Sequence, residues 1–160
     1  MKGKMLNDDY RDMLQCLSAE GVRFLVVGAY ALAVHGYPRA TKDIDFFVWA
    51  TPENATNLLR ALARFGAPVK GLSEADFASE GNVFQIGTGP RRIDILTRIS
   101  GVTFEQAYAN RMTVSMEGVE LPVISLKDLI ANKRASGRTQ DLADVERLES
   151  RGKDQGTRER

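Results

Sequence analysis

Residues 26–48 read VVGAYALAVHGYPRATKDIDFFV, a pattern that predicts two strands with a short helix between them. The first strand, 23–27, ends in four apolar residues, as expected of a strand that is covered on both faces. Gly28 then turns the chain into a helical run over 30–35. After a reversal at Gly36, the second strand covers 43–49. We therefore expect these two strands to form the central part of a sheet.

The second strand carries two carboxylates on one face. Side chains alternate between the faces of a strand, so Asp43 and Asp45 point one way while Ile44 and Phe46 point into the core. Neighbouring carboxylates repel each other unless a positive charge lies between them. Mg²⁺ is commonly held by one or two carboxylates together with substrate phosphates. The pattern therefore predicts a divalent-metal site on this strand.

The same stretch resembles the signature of the nucleotidyltransferase superfamily, in which an apolar residue, glycine and a small residue precede Asp-apolar-Asp. The match is Val27-Gly28-Ala29, then the thirteen residues 30–42, then Asp43-Ile44-Asp45. The resemblance implies a nucleoside triphosphate as co-substrate and two Mg²⁺ or Mn²⁺ ions held by aspartates. Among the positions that it implies as nucleotide contacts are Gly28, Ala29, Arg39 and Lys133.

A third carboxylate lies in the predicted strand 92–97, which reads RIDILT. By the resemblance, Asp94 would complete the metal site beside Asp43 and Asp45 and would help to deprotonate the acceptor hydroxyl. The residues alone also fit a surface acid that pairs with Arg91 or Arg92. The three aspartates are our candidate catalytic and metal-binding residues.

The C-terminal stretch 125–148, SLKDLIANKRASGRTQDLADVERL, resembles small bacterial nucleotidyltransferases, including the AbiEii-like toxins of abortive-infection systems. The resemblance implies that Lys133 contacts the triphosphate or pyrophosphate, and that Asp141 or Asp144 orients Lys133 or takes part in the site. Arg138, Asp141 and Asp144 are weaker candidates than Lys133. Acids in the first turn of a helix are also favoured by the helix dipole alone, so a structural role for the aspartates stays open.

Composition favours a single globular domain over residues 1–150. The chain has 160 residues, of which 43% are hydrophobic and 27% charged, and its net charge is +1. Such a charge gives no argument for nucleic-acid binding by the whole-molecule field. The lone Cys16 cannot form an internal disulfide, and neither a membrane span nor a signal peptide is apparent, so we expect a cytoplasmic protein without a membrane partner. The charged tail, 151–160, lacks apolar anchors and is predicted to be disordered.

The order of predicted elements indicates an α+β fold of nucleotidyltransferase type. We expect a mixed sheet of four or five strands, flanked by helices, with two further helices at the C-terminal end. A hairpin around Glu117-Gly118 and a last helix over 139–149 are part of this prediction.

Three functions follow as hypotheses. The first is metal-dependent transfer of a nucleotide to a hydroxyl on an RNA end or a protein side chain, as the toxin of a toxin–antitoxin pair whose antitoxin would be a protein partner. The second is a catalytically silent nucleotide- and metal-binding module, because Ala29 stands where the signature has glycine or serine. The third is an antibiotic-modifying nucleotidyltransferase.

Overall fold

The computed structural model describes residues 6–37 and 40–158, with side chains described through residue 150. The helices are α1 Asp8–Ala19, α2 Gly28–Val34, α3 Pro52–Phe65, α4 Glu74–Ala78, α5 Phe104–Ala109, α6 Leu126–Ser136 and α7 Thr139–Arg158. The strands are β1 Phe24–Val27, β2 Asp43–Val48, β3 Val83–Ile86, β4 Arg92–Leu96, β5 Met112–Met116 and β6 Val119–Val123.

All six strands form one mixed sheet in the order β3-β4-β2-β1-β6-β5. Strand β2 runs antiparallel to β1 and parallel to β4, and β1 runs parallel to β6. The predicted α+β fold with C-terminal helices is therefore confirmed. The expected count of four or five strands was too low, because the hairpin β5–β6 joins the main sheet through β1.

Local signals in the sequence set the ends of the helices. The Asn7 side chain accepts a hydrogen bond from the Tyr10 amide at the start of α1. Thr51 caps α3 in the same way ahead of Pro52, and Gly66 ends α3 in the left-handed conformation. Such caps satisfy amides and carbonyls that a helix leaves without internal partners. They explain why α1 begins directly after Asn7 and α3 directly after Thr51.

The buried apolar side chains form one cluster around the two central strands. All four residues of β1 are buried, and so are Ile44, Phe46, Phe47 and Val48 of β2. The Phe24 and Phe46 rings meet edge to face at 5.5 Å between centroids. Close packing of these buried side chains holds β1 and β2 in place. It therefore also fixes the positions of the charged residues on β2.

The C-terminal helix is longer than its sequence predicted. The prediction ended the last helix at residue 149, where its apolar positions stop, but α7 continues to Arg158. Residues 149–158 contain no proline, and their two glycines, Gly152 and Gly156, lower the helix propensity without removing a backbone hydrogen-bond donor. Side chains beyond residue 150 and the whole of residues 159–160 lie outside the described part of the chain. The predicted disorder of the tail, residues 151–160, stays a prediction.

Within the described ranges, 6–37 and 40–158, the structure contains no helix with the length and apolar character required to cross a membrane.

Candidate active site

The parallel pairing of β2 and β4 brings three carboxylates together. Asp45 lies directly opposite Asp94 in the register, and Asp43 lies opposite Arg92. One oxygen from each of Asp43, Asp45 and Asp94 lies within 4.8 Å of the others. No other set of three metal-ligating side chains in the described ranges meets this distance criterion. The predicted convergence of three acids from two adjoining strands is thus found in the structure.

Arg92 bridges two of the three carboxylates. Its Nη2 donates to Oδ2 of Asp43 at 2.5 Å and to Oδ2 of Asp94 at 3.2 Å, and its Nε donates to Oδ1 of Asp94 at 3.1 Å. The Arg92 side chain is 37% exposed, whereas that of Asp94 is only 9% exposed. The guanidinium is therefore the more exposed partner in its ion pair with Asp94.

The pKa of Asp45 is strongly raised by its surroundings. Burial raises its pKa to about 7, and the negative charges of Asp43 and Asp94 add to the rise. Arg92 opposes this shift without cancelling it. A carboxyl that titrates so high indicates that one guanidinium does not compensate three acids.

Gly28 lets the backbone of α2 approach Asp45. Its φ is +69°, and a Cβ at this position would lie 2.2 Å from Oδ2 of Asp45. The close approach follows from the pairing of β1 with β2, since Val27 lies opposite Asp45. Glycine is the residue that permits both the left-handed backbone and the short distance.

The three carboxylates lie in a cleft of about 670 Å³. Pockets that bind small molecules have volumes of roughly 300–1,000 Å³. Its walls come from β2, β4, the start of α2 and the α6–α7 turn. The candidate residues that line it are Gly28, Ala29, Asp43, Asp45, Asp94, Lys133, Arg138 and Asp141.

The donor set fits Mg²⁺ or Mn²⁺. Both ions prefer oxygen ligands, and the cluster offers carboxylate oxygens on two rigid strands. The raised pKa of Asp45 is the second indication, because a divalent cation would remove the repulsion that contributes to it. We infer from this fit that Asp43, Asp45 and Asp94 would be the ligands.

Lys133 lies in the wall of the cleft, but its ammonium is paired. Nζ contacts Oδ1 of Asp141 at 3.3 Å and Oδ2 of Asp144 at 2.9 Å, and all three residues are buried. The resemblance implied a phosphate contact for Lys133, and for Asp141 or Asp144 a role in orienting Lys133 or in the site itself. The structure brings these three residues together and leaves the phosphate contact as a prediction.

Asp141 joins the exposed Arg138 to this network. Burial alone would raise the pKa of Asp141, but hydrogen bonds from Ser136 and Arg138 and the nearby charge of Lys133 lower it overall. Arg138 donates to Oδ2 of Asp141 at 2.8 Å, and its side chain is 80% exposed. Arg138 therefore offers a cation at the mouth of the cleft.

Two arginines differ from the other candidates. Arg39 lies outside the described residues, so its expected nucleotide contact stays a prediction. The sequence indicated Arg92 only as an alternative ion-pair partner of Asp94, and not as a residue that also contacts Asp43. Strand alternation could have identified it, because Arg92 and Asp94 are two residues apart and share a face.

The comparisons with known proteins agree with a nucleotidyl-transferring site. Residues 5–151 match the family model described as "Nucleotidyltransferase of unknown function (DUF6036)". The match covers most of the chain, which therefore belongs to this family and is a nucleotidyltransferase. None of the curated proteins compared with the chain matches it.

Solved structures show the same fold. A protein from Thermotoga maritima that is assigned as a nucleotidyltransferase aligns over 98% of both chains, with 22% identity and a TM-score of 0.56. The lincosamide antibiotic adenylyltransferase LnuA, solved with lincomycin, aligns over 92% of this chain and 99% of its own, with 12% identity and a TM-score of 0.54. At these identities the likeness concerns the fold alone.

Proposed function

We propose that the protein transfers a nucleotidyl group from a nucleoside triphosphate to an acceptor hydroxyl at the cluster of Asp43, Asp45 and Asp94. The observation that carries the proposal is the convergence of the three carboxylates within 4.8 Å in a cleft that also contains Lys133 and Arg138. The cleft suits a magnesium-bound triphosphate, because carboxylates can hold the metal and cations can contact the phosphates. Arg138 lies at the rim and Lys133 is buried in the wall.

The reaction would be a substitution at the α-phosphorus. The acceptor oxygen forms a bond to phosphorus, the bond to the bridging oxygen of pyrophosphate breaks, and the acceptor proton passes to a carboxylate. Mg²⁺ or Mn²⁺, two ions in our proposal, would supply the positive charge that polarises the phosphate oxygens.

The position of each residue indicates its role in the proposed reaction. Asp43 and Asp45 would hold the metal with the triphosphate, and Asp94 would complete the site and assist deprotonation of the acceptor. Gly28 and Ala29 border the phosphates without bulk. Arg138, exposed at the rim, would contact the leaving pyrophosphate, with Lys133 behind it in the wall.

For the acceptor we favour the hydroxyl of an RNA end or a protein side chain, which would suit a toxin held in check by an antitoxin protein in the cytoplasm. The fold shared with LnuA gives a reason to include a lincosamide among the acceptors tested. A catalytically silent module is the alternative, and it differs from the enzyme in showing no turnover with any acceptor.

The test combines labelled triphosphates with Mg²⁺ or Mn²⁺ and a panel of acceptors: total RNA, soluble protein and lincomycin. We expect label in RNA or protein with wild type and a loss of at least about a hundredfold in Asp43→Asn, since a ligand of the metal is removed. Asp12→Asn, an exposed acid on α1, is the matched control and should retain activity. Binding of triphosphate without transfer to any acceptor would favour the silent module.

A further inference from the structure

Arg92 and a divalent cation would use the same carboxylate oxygens. The guanidinium takes both oxygens of Asp94 and Oδ2 of Asp43, which are two of the three acids in the cluster. A cation that binds all three acids must share or replace these contacts, because each carboxylate has few lone pairs directed into the cluster.

The surroundings of Arg92 favour movement of the guanidinium rather than a fixed ion pair. Its side chain is 37% exposed and lines the open cleft, while its backbone is held in β4 opposite Asp43. A long side chain on a rigid strand can change its partner without any change in the fold. Arginine also recognises phosphate in a bidentate manner, as it does carboxylate.

We propose that Arg92 is an exchangeable counter-cation of the metal site: it competes with the first divalent cation for Asp43 and Asp94, and then turns to the phosphates of the bound triphosphate. The inference rests on the proposed function and adds a positioning residue to it. The exchange couples the two ligands, because the arginine that metal displaces becomes available to hold the triphosphate.

The test measures binding rather than turnover. Titration calorimetry with Mn²⁺ alone, and then with inorganic triphosphate at saturating Mn²⁺, compares wild type with Arg92→Gln and Arg92→Lys. Arg91→Gln is the matched control, since Arg91 is a neighbouring arginine, 55% exposed, whose ion pair is with Asp9 outside the cluster. Circular dichroism establishes that each variant is folded.

We expect Arg92→Gln to bind Mn²⁺ on the order of tenfold more tightly and triphosphate on the order of tenfold more weakly than wild type. Arg92→Lys keeps the charge but loses the planar fork, so its Mn²⁺ affinity should stay near wild type while its triphosphate affinity falls. Should Arg92→Gln fail to fold, the lysine variant decides the question by its triphosphate affinity. Arg91→Gln should change neither affinity.

Results that contradict the exchange differ from results that contradict the proposed function. Unchanged or weaker Mn²⁺ binding in Arg92→Gln, or unchanged triphosphate binding in either variant, overturns the exchange and leaves the proposed function in place. Wild-type protein that binds neither Mn²⁺ nor triphosphate overturns the proposed function itself.

Discussion

Gly28 and Asp45 approach each other so closely that a Cβ on Gly28 would lie 2.2 Å from Oδ2 of Asp45. The contact joins the turn between β1 and α2 to a candidate metal ligand on β2. Since β1 and β2 are buried and paired along their length, neither backbone can withdraw. A side chain at position 28 therefore has to displace the Asp45 carboxylate.

Gly28→Ala should reduce activity strongly while the protein still folds. The left-handed backbone alone costs about 1–2 kcal/mol for a residue with a Cβ, and the clash turns Asp45 away from Asp94. We expect a folded protein with nucleotidyl transfer reduced at least about a hundredfold and with weakened Mn²⁺ binding. Urea unfolding and calorimetric titration measure the two effects separately.

Gly21→Ala is the matched control for this variant. Gly21 has nearly the same φ, +68°, but a Cβ added there would meet nothing within 4 Å. The control should lose similar stability and keep full activity. Equal loss of activity in both variants would show that backbone strain, and not the displaced carboxylate, is responsible.

Asp45→Asn should stabilise the metal-free protein at alkaline pH. Because the folded pKa of Asp45 is about 7 and its unfolded pKa is about 3.9, the folded state binds an extra proton between these values. The contribution of Asp45 to wild-type stability therefore falls as the pH rises from about 4 to 7. Asparagine has no charge to repel Asp43 and Asp94, so we expect a gain of about 2 kcal/mol at pH 8 that disappears near pH 4.

Urea unfolding in the presence of a chelator at pH 4 and pH 8 measures this difference. Added Mg²⁺ supplies a second readout: it should raise the melting temperature of wild type more at pH 8 than at pH 5, and raise that of Asp45→Asn little at either pH. A variant that is less stable than wild type at pH 8 would contradict the raised pKa as the cause.

Tyr10→Phe should loosen the start of β4. The Tyr10 hydroxyl is directed at two carbonyls, donating to Pro90 at 2.9 Å and to Arg92 at 3.1 Å, and the residue is 1% exposed. Burial raises the pKa of Tyr10 to about 12, so the phenol stays a neutral donor at physiological pH. Its loss removes a buried donor from two partly buried carbonyls and should cost about 1–1.5 kcal/mol of unfolding free energy.

The control for this variant is Tyr37→Phe, whose hydroxyl donates to the Arg147 carbonyl in an exposed position. Chemical denaturation should show a change below about 1 kcal/mol there. Similar losses in both variants would argue against a special contribution of the buried hydroxyl at the start of β4.

The carboxylate cluster could be predicted because its residues follow simple strand geometry. Alternation places Asp43 and Asp45 on one face of β2, and a second strand with a central acid supplies Asp94. The two strands are separated by more than forty residues, so their pairing was implied by the resemblance and not by any local signal. Helix starts were predictable for a similar reason, since caps are local.

The sequence predicted single charge pairs, such as Arg92 with Asp94, but not the full set of partners that each charge has in the structure. Lys133 was predicted to contact phosphate with Asp141 or Asp144 beside it, and the structure pairs its ammonium with both acids across the α6–α7 turn. Whether a long side chain points into a cleft or towards a neighbouring helix depends on how two helices pack, which no single motif encodes. The contacts of Arg92 depend in the same way on the pairing of β2 with β4.

Lys133→Met should be the most destabilising change at the α6–α7 junction. The ammonium is buried with two carboxylates, at 3.3 Å from Asp141 and 2.9 Å from Asp144. Removal of one partner from a buried ion pair typically costs about 3–5 kcal/mol, because the remaining charge loses its compensation in a place that water does not reach. Arg134→Met is the control on the same helix: its pair with Glu149 is exposed, so a change below about 1 kcal/mol is expected.

The pH dependence of this effect follows from Asp141. Its folded pKa is lowered, so its contribution to stability is present above the unfolded value of about 3.9 and is lost as the pH falls through the folded pKa. Lys133→Met removes one cause of that lowering, and its deficit relative to wild type should shrink as the pH falls through the lowered folded pKa of Asp141. Urea denaturation at pH 7 and at pH 3 measures the deficit; a deficit of equal size at both would mean that lost packing of the lysine stem, and not the lost charge, destabilises the variant.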